Sequence, residues 1–225
     1  MAVEVYLIRH GETMFNQLNK VQGWCDSPLT PKGIADLKNT AQALSDIHFD
    51  KMYSSDLKRA IDTVHLMQDA NKRSVISKIP KLPSFREVFF GSFEGDDVDA
   101  TWALIAQQAG LPTYYDVTDI INAIGLYDFR EATKKADPRH LAEDAAQLDM
   151  RTEKAIRDLR RETRGMKRVL LVSHGDFIKT LAIKYWTKSD HLHDIIFPDN
   201  GSVTIGHLTD DNFVITDYDI TQDQL

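Results

Sequence analysis

A single cysteine, Cys25, stands among 225 residues. That excludes an intrachain disulfide and fits a reducing compartment. The sequence has no apolar run of about 18 residues, so no membrane span is expected. It has no excess of positive charge either: 27 Lys and Arg against 34 Asp and Glu give a formal charge of −7. This balance argues against a generic nucleic-acid binder, which needs a basic face. It also means that an anionic ligand must be drawn in by local cations against the overall field. The pattern Gly-x-x-x-x-Gly-Lys, the pair His-Glu-x-x-His and paired cysteines are all missing, which removes the common signals for nucleotide and zinc sites. No metal and no cofactor are expected. The opening MAVEVYLIRHGET lacks the basic start, apolar stretch and small-residue cleavage site of a signal peptide, so a cytoplasmic location is expected.

What is present is a globular pattern. The hydrophobic fraction of 42% and charged fraction of 27% are ordinary for a folded domain. Val3 to Ile8 reads as a buried strand, and Thr30-Pro31 as the cap and first residue of a helix running to about Asp46. Phe49 to Tyr53 and Val75 to Ile79 read as further strands, with a helix carrying Leu57, Ala60, Ile61, Val64 and Met67 between them. A long amphipathic helix is predicted from about Ala142 to Thr163. The run VLLV then marks the clearest strand, Arg168 to Ser173, followed by a helix from about Asp176 to Trp186. Ser202 to Leu208 and Phe213 to Ile220 are predicted as late strands joined by a turn. Strands alternating with helices imply an α/β fold, with a mainly parallel sheet covered on both faces. Residues 1–225 are expected to form a single catalytic domain, with a mostly helical insertion, or cap, at about 92–148.

Two strand ends carry the chemistry. The first strand runs into Arg9-His10-Gly11 and the clearest one into Ser173-His174-Gly175. Parallel strands would bring both histidines to one sheet edge, where ligands bind in such folds. Arg59, in the first turns of a helix after another strand end, can reach the same edge. Two histidines with Arg9 and Arg59 make an anion pocket, because guanidinium groups grip phosphate oxygens in bidentate fashion. The pocket would also stabilise the charge of a transferring phosphoryl group. His191 and His193, followed by Asp194, have ligand-like spacing without other support. His48, His65, His140 and His207 are isolated.

With these residues in view, Arg9-His10-Gly11-Glu12-Thr13 and Asn16 resemble the signature of the histidine phosphatase superfamily, also called the phosphoglycerate mutase-like family. Further blocks follow in order: Gln22-Gly23, Ser27 to Thr30 with Gly33, Tyr53-Ser54-Ser55 through Arg59-Ala60 and Thr63, Arg86-Glu87 with Gly91 and Glu94-Gly95, and Ser173-His174-Gly175. The resemblance fails mainly within about 96–150. It implies that His10 is the nucleophile and becomes phosphorylated, its other ring nitrogen held by a backbone carbonyl near Gly11. Arg9, Arg59, Asn16 and a largely protonated His174 would hold the phosphoryl oxygens. Glu87 would be the general acid, and Gln22 and Gly23 would contact substrate. The alternative for Glu87 is a surface salt bridge with Arg86, and for Asn16 and Gln22 a cap or loop role.

Three functions stay in play. The preferred one is a metal-independent phosphomonoesterase acting on a small phosphorylated metabolite, with neither nucleic acid nor membrane as partner. The second is a phosphoglycerate mutase dependent on 2,3-bisphosphoglycerate, and the third a non-catalytic phospho-ligand binder. Asp176 stands where mutase members commonly have asparagine, and it would repel phosphate unless it points away or meets Lys179. The Arg-Arg and proline-rich stretch of glycolytic mutases is missing from 96–150, which tilts the reading toward the phosphatase. In the insertion, Arg130, Lys134, Lys135 and Arg139 read as a solvated face rather than a second anion site. Tyr114, Tyr115, Trp102 and Phe129 either line the substrate mouth or pack the insertion. The sequence sets no oligomeric state.

Overall fold

The computed structural model describes residues 2–112, 116–187 and 197–225. His191, His193, Asp194, Tyr114 and Tyr115 lie outside them. The chain folds in the order β1 (Val3–Arg9), α1 (Met14–Gln17), α2 (Pro31–Ala43), β2 (Lys51–Ser54) and α3 (Lys58–Ala70). It continues with α4 (Val98–Gln108), α5 (Val117–Ala136, broken at Gly125), α6 (Ala145–Glu162), β3 (Arg168–Ser173) and α7 (Gly175–Tyr185). The strands β4 (Val203–Leu208) and β5 (Phe213–Ile220) follow. Five strands form one mixed sheet in the order β2-β3-β1-β4-β5. The strands β1, β2 and β3 run parallel, and β4 and β5 close the sheet antiparallel. This is the α/β fold expected, with helices α4 and α5 within the stretch 92–148.

Strand side chains alternate between two faces, and each face has its own core. Tyr6, Ile8, Met52, Leu170 and Val172 pack against Leu37 and Ala41 of α2 and Ala60, Val64 and Met67 of α3. Val5, Leu7, Tyr53, Val169 and Leu171 pack against Leu148, Ile156 and Leu159 of α6 and Phe177, Ile178 and Leu181 of α7. Thr30 caps α2 by accepting from the Gly33 N–H at 2.9 Å, and Pro31 opens the helix. Phe129 is fully buried, with Trp102 against it at 5.8 Å between ring centroids. Both aromatics pack the fold. Among the described residues no helix is long and apolar enough to cross a membrane.

One predicted strand is absent. Val75 to Ile79 forms none, and Val75 is 98% exposed. Among the described residues, the outer edge of β2 is met only at the bridge between Ser54 and Lys81. Pro80 and Pro83 flank that bridge and lack the N–H a ladder needs. The β-branched residues before them therefore find no partner strand.

Candidate active site

In the pairing of β1 with β3, Arg9 stands opposite Ser173. The residues that follow, His10 and His174, leave the sheet side by side. The His10 N–H donates to the Ser173 carbonyl at 3.1 Å, and the two imidazole centroids are 5.2 Å apart. Both rings are buried. Gly11 lets α2 approach this turn, because a Cβ there would lie 2.5 Å from Leu37 Cδ1.

The His10 tautomer follows from its partners. Nδ1 lies 2.8 Å from the Gly11 carbonyl, which can only accept, so Nδ1 carries the proton. Nε2 then holds the lone pair, and Arg59 Nε donates to it at 3.0 Å. Burial, with Arg59 and Arg9 close by, holds His10 well below the ordinary histidine value, outweighing the Gly11 hydrogen bond. The ring is neutral at neutral pH and presents a nucleophilic nitrogen.

Arg59 is 1% exposed and lies in the first turn of α3. Its Nη1 donates to the Cys25 carbonyl and to Asp26 Oδ1, both at 2.9 Å, and its Nη2 to the Gly23 carbonyl at 2.6 Å. Asp26 also accepts the Lys58 N–H at 2.5 Å, capping α3 from a distant loop. Arg9 donates through Nη1 to the Pro198 carbonyl at 2.5 Å, while its buried Nε has no partner among the described residues.

His174 is hydrogen-bonded through Nε2 to Ser55 Oγ at 2.6 Å. Its Nδ1 is buried without a partner among the described residues. Burial first, then Arg59, His10, Arg151 and Arg9, hold it well below the ordinary histidine value. Without an anion beside it, the protein's own groups thus disfavour the protonated His174 that the resemblance implies. Surrounding cations and low polarity disfavour a further positive charge.

Glu87 is buried, at 6% exposure. The surface salt bridge with Arg86 does not form; Arg86 grips Asp56 in a fork, at 2.7 and 2.5 Å. The carboxylate instead meets the start of α7. Oε1 accepts from Phe177 N–H at 2.8 Å and Val88 N–H at 2.9 Å, and Oε2 from Asp176 N–H at 3.1 Å. Burial and the Asp176 charge raise its proton affinity against these hydrogen bonds and Arg59. The Glu87 carbonyl accepts from Trp24 Nε1 at 2.9 Å and Arg151 Nη2 at 3.1 Å.

Asp176 takes Arg130, not Lys179, as its ion-pair partner, and both members are buried. Arg130 is therefore no part of a solvated face, as the basic run on α5 had suggested. Its Nε and Nη1 are buried without a partner among the described residues. The remaining predicted residues are Asn16, Gln22 and Gly23. Asn16 Oδ1 accepts from the Thr13 N–H at 3.1 Å, and Thr13 Oγ1 accepts from the Asn16 N–H at 3.3 Å, in a capping box. Gln22 accepts from Thr13 Oγ1 at 2.6 Å and donates to Ser27 Oγ at 3.2 Å. The N–H of Gly23 goes to Glu94 at 3.1 Å and its carbonyl to Arg59. Sequence reasoning gave no role to Ser55, Asp26, Asn200 or Arg151. Asn200 Nδ2 donates to the His10 carbonyl at 2.9 Å. Only Ser55 carried a signal, as part of Tyr53-Ser54-Ser55.

A model of the histidine phosphatase superfamily (branch 1) matches residues 5–115 and 121–221. The probable phosphoglycerate mutase GpmB of Yersinia pestis (strain Pestoides F) is 35% identical over 98 residues, which is 44% of this chain and 44% of that protein. The match thus spans less than half of that curated relative. The crystal structure of a phosphoglycerate mutase from Bacillus anthracis str. Sterne superposes with a TM-score of 0.87 at 30% identity, over 97% of this chain and 93% of that one. A phosphoserine phosphatase from Entamoeba histolytica, in complex with 3-phosphoglyceric acid, superposes with a TM-score of 0.69 at 25% identity, over 99% and 100% of the two chains.

Proposed function

This chain belongs to the histidine phosphatase superfamily, and we propose that within it the protein is a metal-independent phosphomonoesterase for a small phosphorylated metabolite. The observation that carries the reading is the state of His10. Its Nδ1 proton is fixed on Gly11, its Nε2 lone pair faces Arg59, and burial keeps it neutral. A neutral, oriented imidazole among cations is what an attack on phosphorus needs.

In the first step His10 Nε2 bonds to phosphorus as the phosphorus–oxygen bond of the ester breaks. Glu87 gives its proton to the leaving alkoxide. Arg9, Arg59 and His174 hold the three equatorial oxygens, and Asn16 adds its amide NH2. The incoming dianion draws a proton onto His174 that the protein's own cations disfavour. In the second step water attacks phosphorus, Glu87 takes the water proton, and the nitrogen–phosphorus bond breaks to release phosphate and neutral His10. The two arginines supply the charge stabilisation that a metal supplies elsewhere.

The likeness to the Bacillus anthracis mutase favours a second reading, in which the phosphoryl group returns to an acceptor hydroxyl instead of water. One assay separates the two. Phosphate release from p-nitrophenyl phosphate and a panel of small phosphomonoesters is set against interconversion of 3- and 2-phosphoglycerate with 2,3-bisphosphoglycerate. Release without interconversion supports the phosphatase, and dominant interconversion supports the mutase.

A further inference from the structure

The loop that grips Arg59 is itself gripped from behind. The carboxylate of Glu94 accepts four backbone N–H groups. Oε1 takes Trp24 at 2.9 Å and Phe90 at 3.1 Å, and Oε2 takes Gly23 at 3.1 Å and Cys25 at 2.8 Å. Consecutive N–H groups turned to one side form a concavity suited to an anion, here filled by the protein's own glutamate. The carbonyls of Gly23 and Cys25 go to the Arg59 guanidinium.

One peptide unit is common to both sets. The carbonyl of Gly23 and the N–H of Trp24 belong to the same planar amide. An unbroken hydrogen-bonded line therefore runs from Glu94 Oε1 through that amide to Arg59 Nη2, and Arg59 Nε ends it on His10 Nε2. The fit is tight: a Cβ on Gly23 would come 2.2 Å from the Val88 carbonyl and 2.3 Å from Glu94 Oε1.

We propose that Glu94 is a positioning residue that sets the aim of Arg59 at His10 and the phosphoryl group, acting through the backbone of residues 23–25. Touching neither reacting partner, it makes the loop carbonyls a fixed cradle for the guanidinium. The inference rests on the reading of this pocket as a phosphate site, and its test does not require turnover.

Glu94→Gln is nearly isosteric, yet each carboxylate oxygen serves two N–H groups. Whichever way the amide turns, its NH2 faces two donors and two of the four bonds are lost. The test is a double-mutant cycle with Arg59→Ala, read as affinity for inorganic phosphate and, where turnover exists, as kcat/KM. In the wild-type background Glu94→Gln should weaken both by roughly tenfold or more, since an ångström of misplacement can cost about a hundredfold. In the Arg59→Ala background it should change neither by more than about twofold. A second readout is the Cys25 thiol, which partial burial and the Glu94 carboxylate push up. Glu94→Gln should speed its alkylation by iodoacetamide in the folded protein. Equal losses in both backgrounds, with Cys25 alkylation unchanged, would overturn the proposal and leave Glu94 an ordinary fold residue. If Glu94→Gln is not recovered folded, Glu94→Asp carries the same cycle, because it keeps the charge but falls one methylene short. A wild-type protein that binds phosphate without hydrolysing any ester would refute the proposed function and leave this cycle fully readable.

Discussion

Replacing Glu87 by glutamine separates proton donation from carboxylate positioning, provided two substrates are compared. The side chain has no slack. Oε1 accepts two N–H groups, Oε2 accepts one, and the residue is buried. Glutamine keeps its carbonyl best at the Oε1 position, which sets its NH2 against the Asp176 N–H. One buried donor is then unsatisfied, a cost of about 1–3 kcal/mol. This disturbance is felt whatever the leaving group, so some loss is expected on every ester. The proton is different. An alkoxide leaving group needs it in the transition state, whereas p-nitrophenolate leaves without it. General-acid assistance is worth roughly 10²–10⁴-fold. Glu87→Gln should therefore lose at least about a hundredfold more kcat/KM on an alkyl phosphate than on p-nitrophenyl phosphate. The shared part of the loss measures repacking at the start of α7, and the excess measures the acid. Equal losses on both substrates would refute the acid role and leave Glu87 as a brace on the start of α7.

The acidic limb of kcat/KM should lie well below pH 6.5. Attack needs neutral His10, whose proton affinity is depressed by burial, Arg59 and Arg9, so activity falls only as pH drops through that lowered value; half-loss at or above pH 6.5 in a pH–rate profile would contradict the burial argument. Arg59→Ala should cost about 2–5 kcal/mol in transition-state binding, and Arg59→Lys should also lose activity because lysine cannot span Gly23, Cys25, Asp26 and His10 at once; steady-state kinetics showing less than a threefold change for Arg59→Ala would place that residue outside the chemistry. His10→Ala should abolish turnover and the alkali-stable, acid-labile label that wild-type protein retains after quenching with labelled substrate; substantial residual activity would reassign the nucleophile. Chelator should leave the rate unchanged while vanadate inhibits, and a loss in EDTA restored by a divalent ion would overturn the metal-independent reading.

The parts of the site legible in the sequence are those that a strand end fixes by itself. His10 and His174 each follow an apolar strand and precede a glycine, and parallel register then obliges them to meet. Arg59 was legible because it opens a helix at the same sheet edge. The framework that aims these residues was not. Asp26, Asn200 and Glu94 reach the site from loops, and their partners lie 33, 190 and about 70 positions away. No local period announces such pairings. Val75 to Ile79 failed for a related reason: β-propensity describes a residue's fit to a sheet, not whether an edge is open to it.

Arg130 and Asp176 take the same point one step further, because each was misread alone. Arg130 sits on α5 among Lys134, Lys135 and Arg139, a run that reads as one basic face. The helix divides it otherwise: Phe129, Arg130, Ala132 and Thr133 are buried, while Lys134 turns out to meet Asp144 at 2.7 Å. Asp176, read alone, is a carboxylate that would repel phosphate. With Arg130 beside it, 46 positions away in sequence, it is a buried pair whose charge is met inside the protein. The pair also bears on Glu87, which accepts the N–H of Asp176 and has its proton affinity raised by burial and by the Asp176 charge. The aspartate that departs from the mutase pattern thus favours keeping a proton on Glu87, the state that an acid needs before it can donate to a leaving alkoxide. In the proposed mechanism, a residue that looked like an obstacle to phosphate chemistry in the sequence acts in the direction that favours an acid at Glu87.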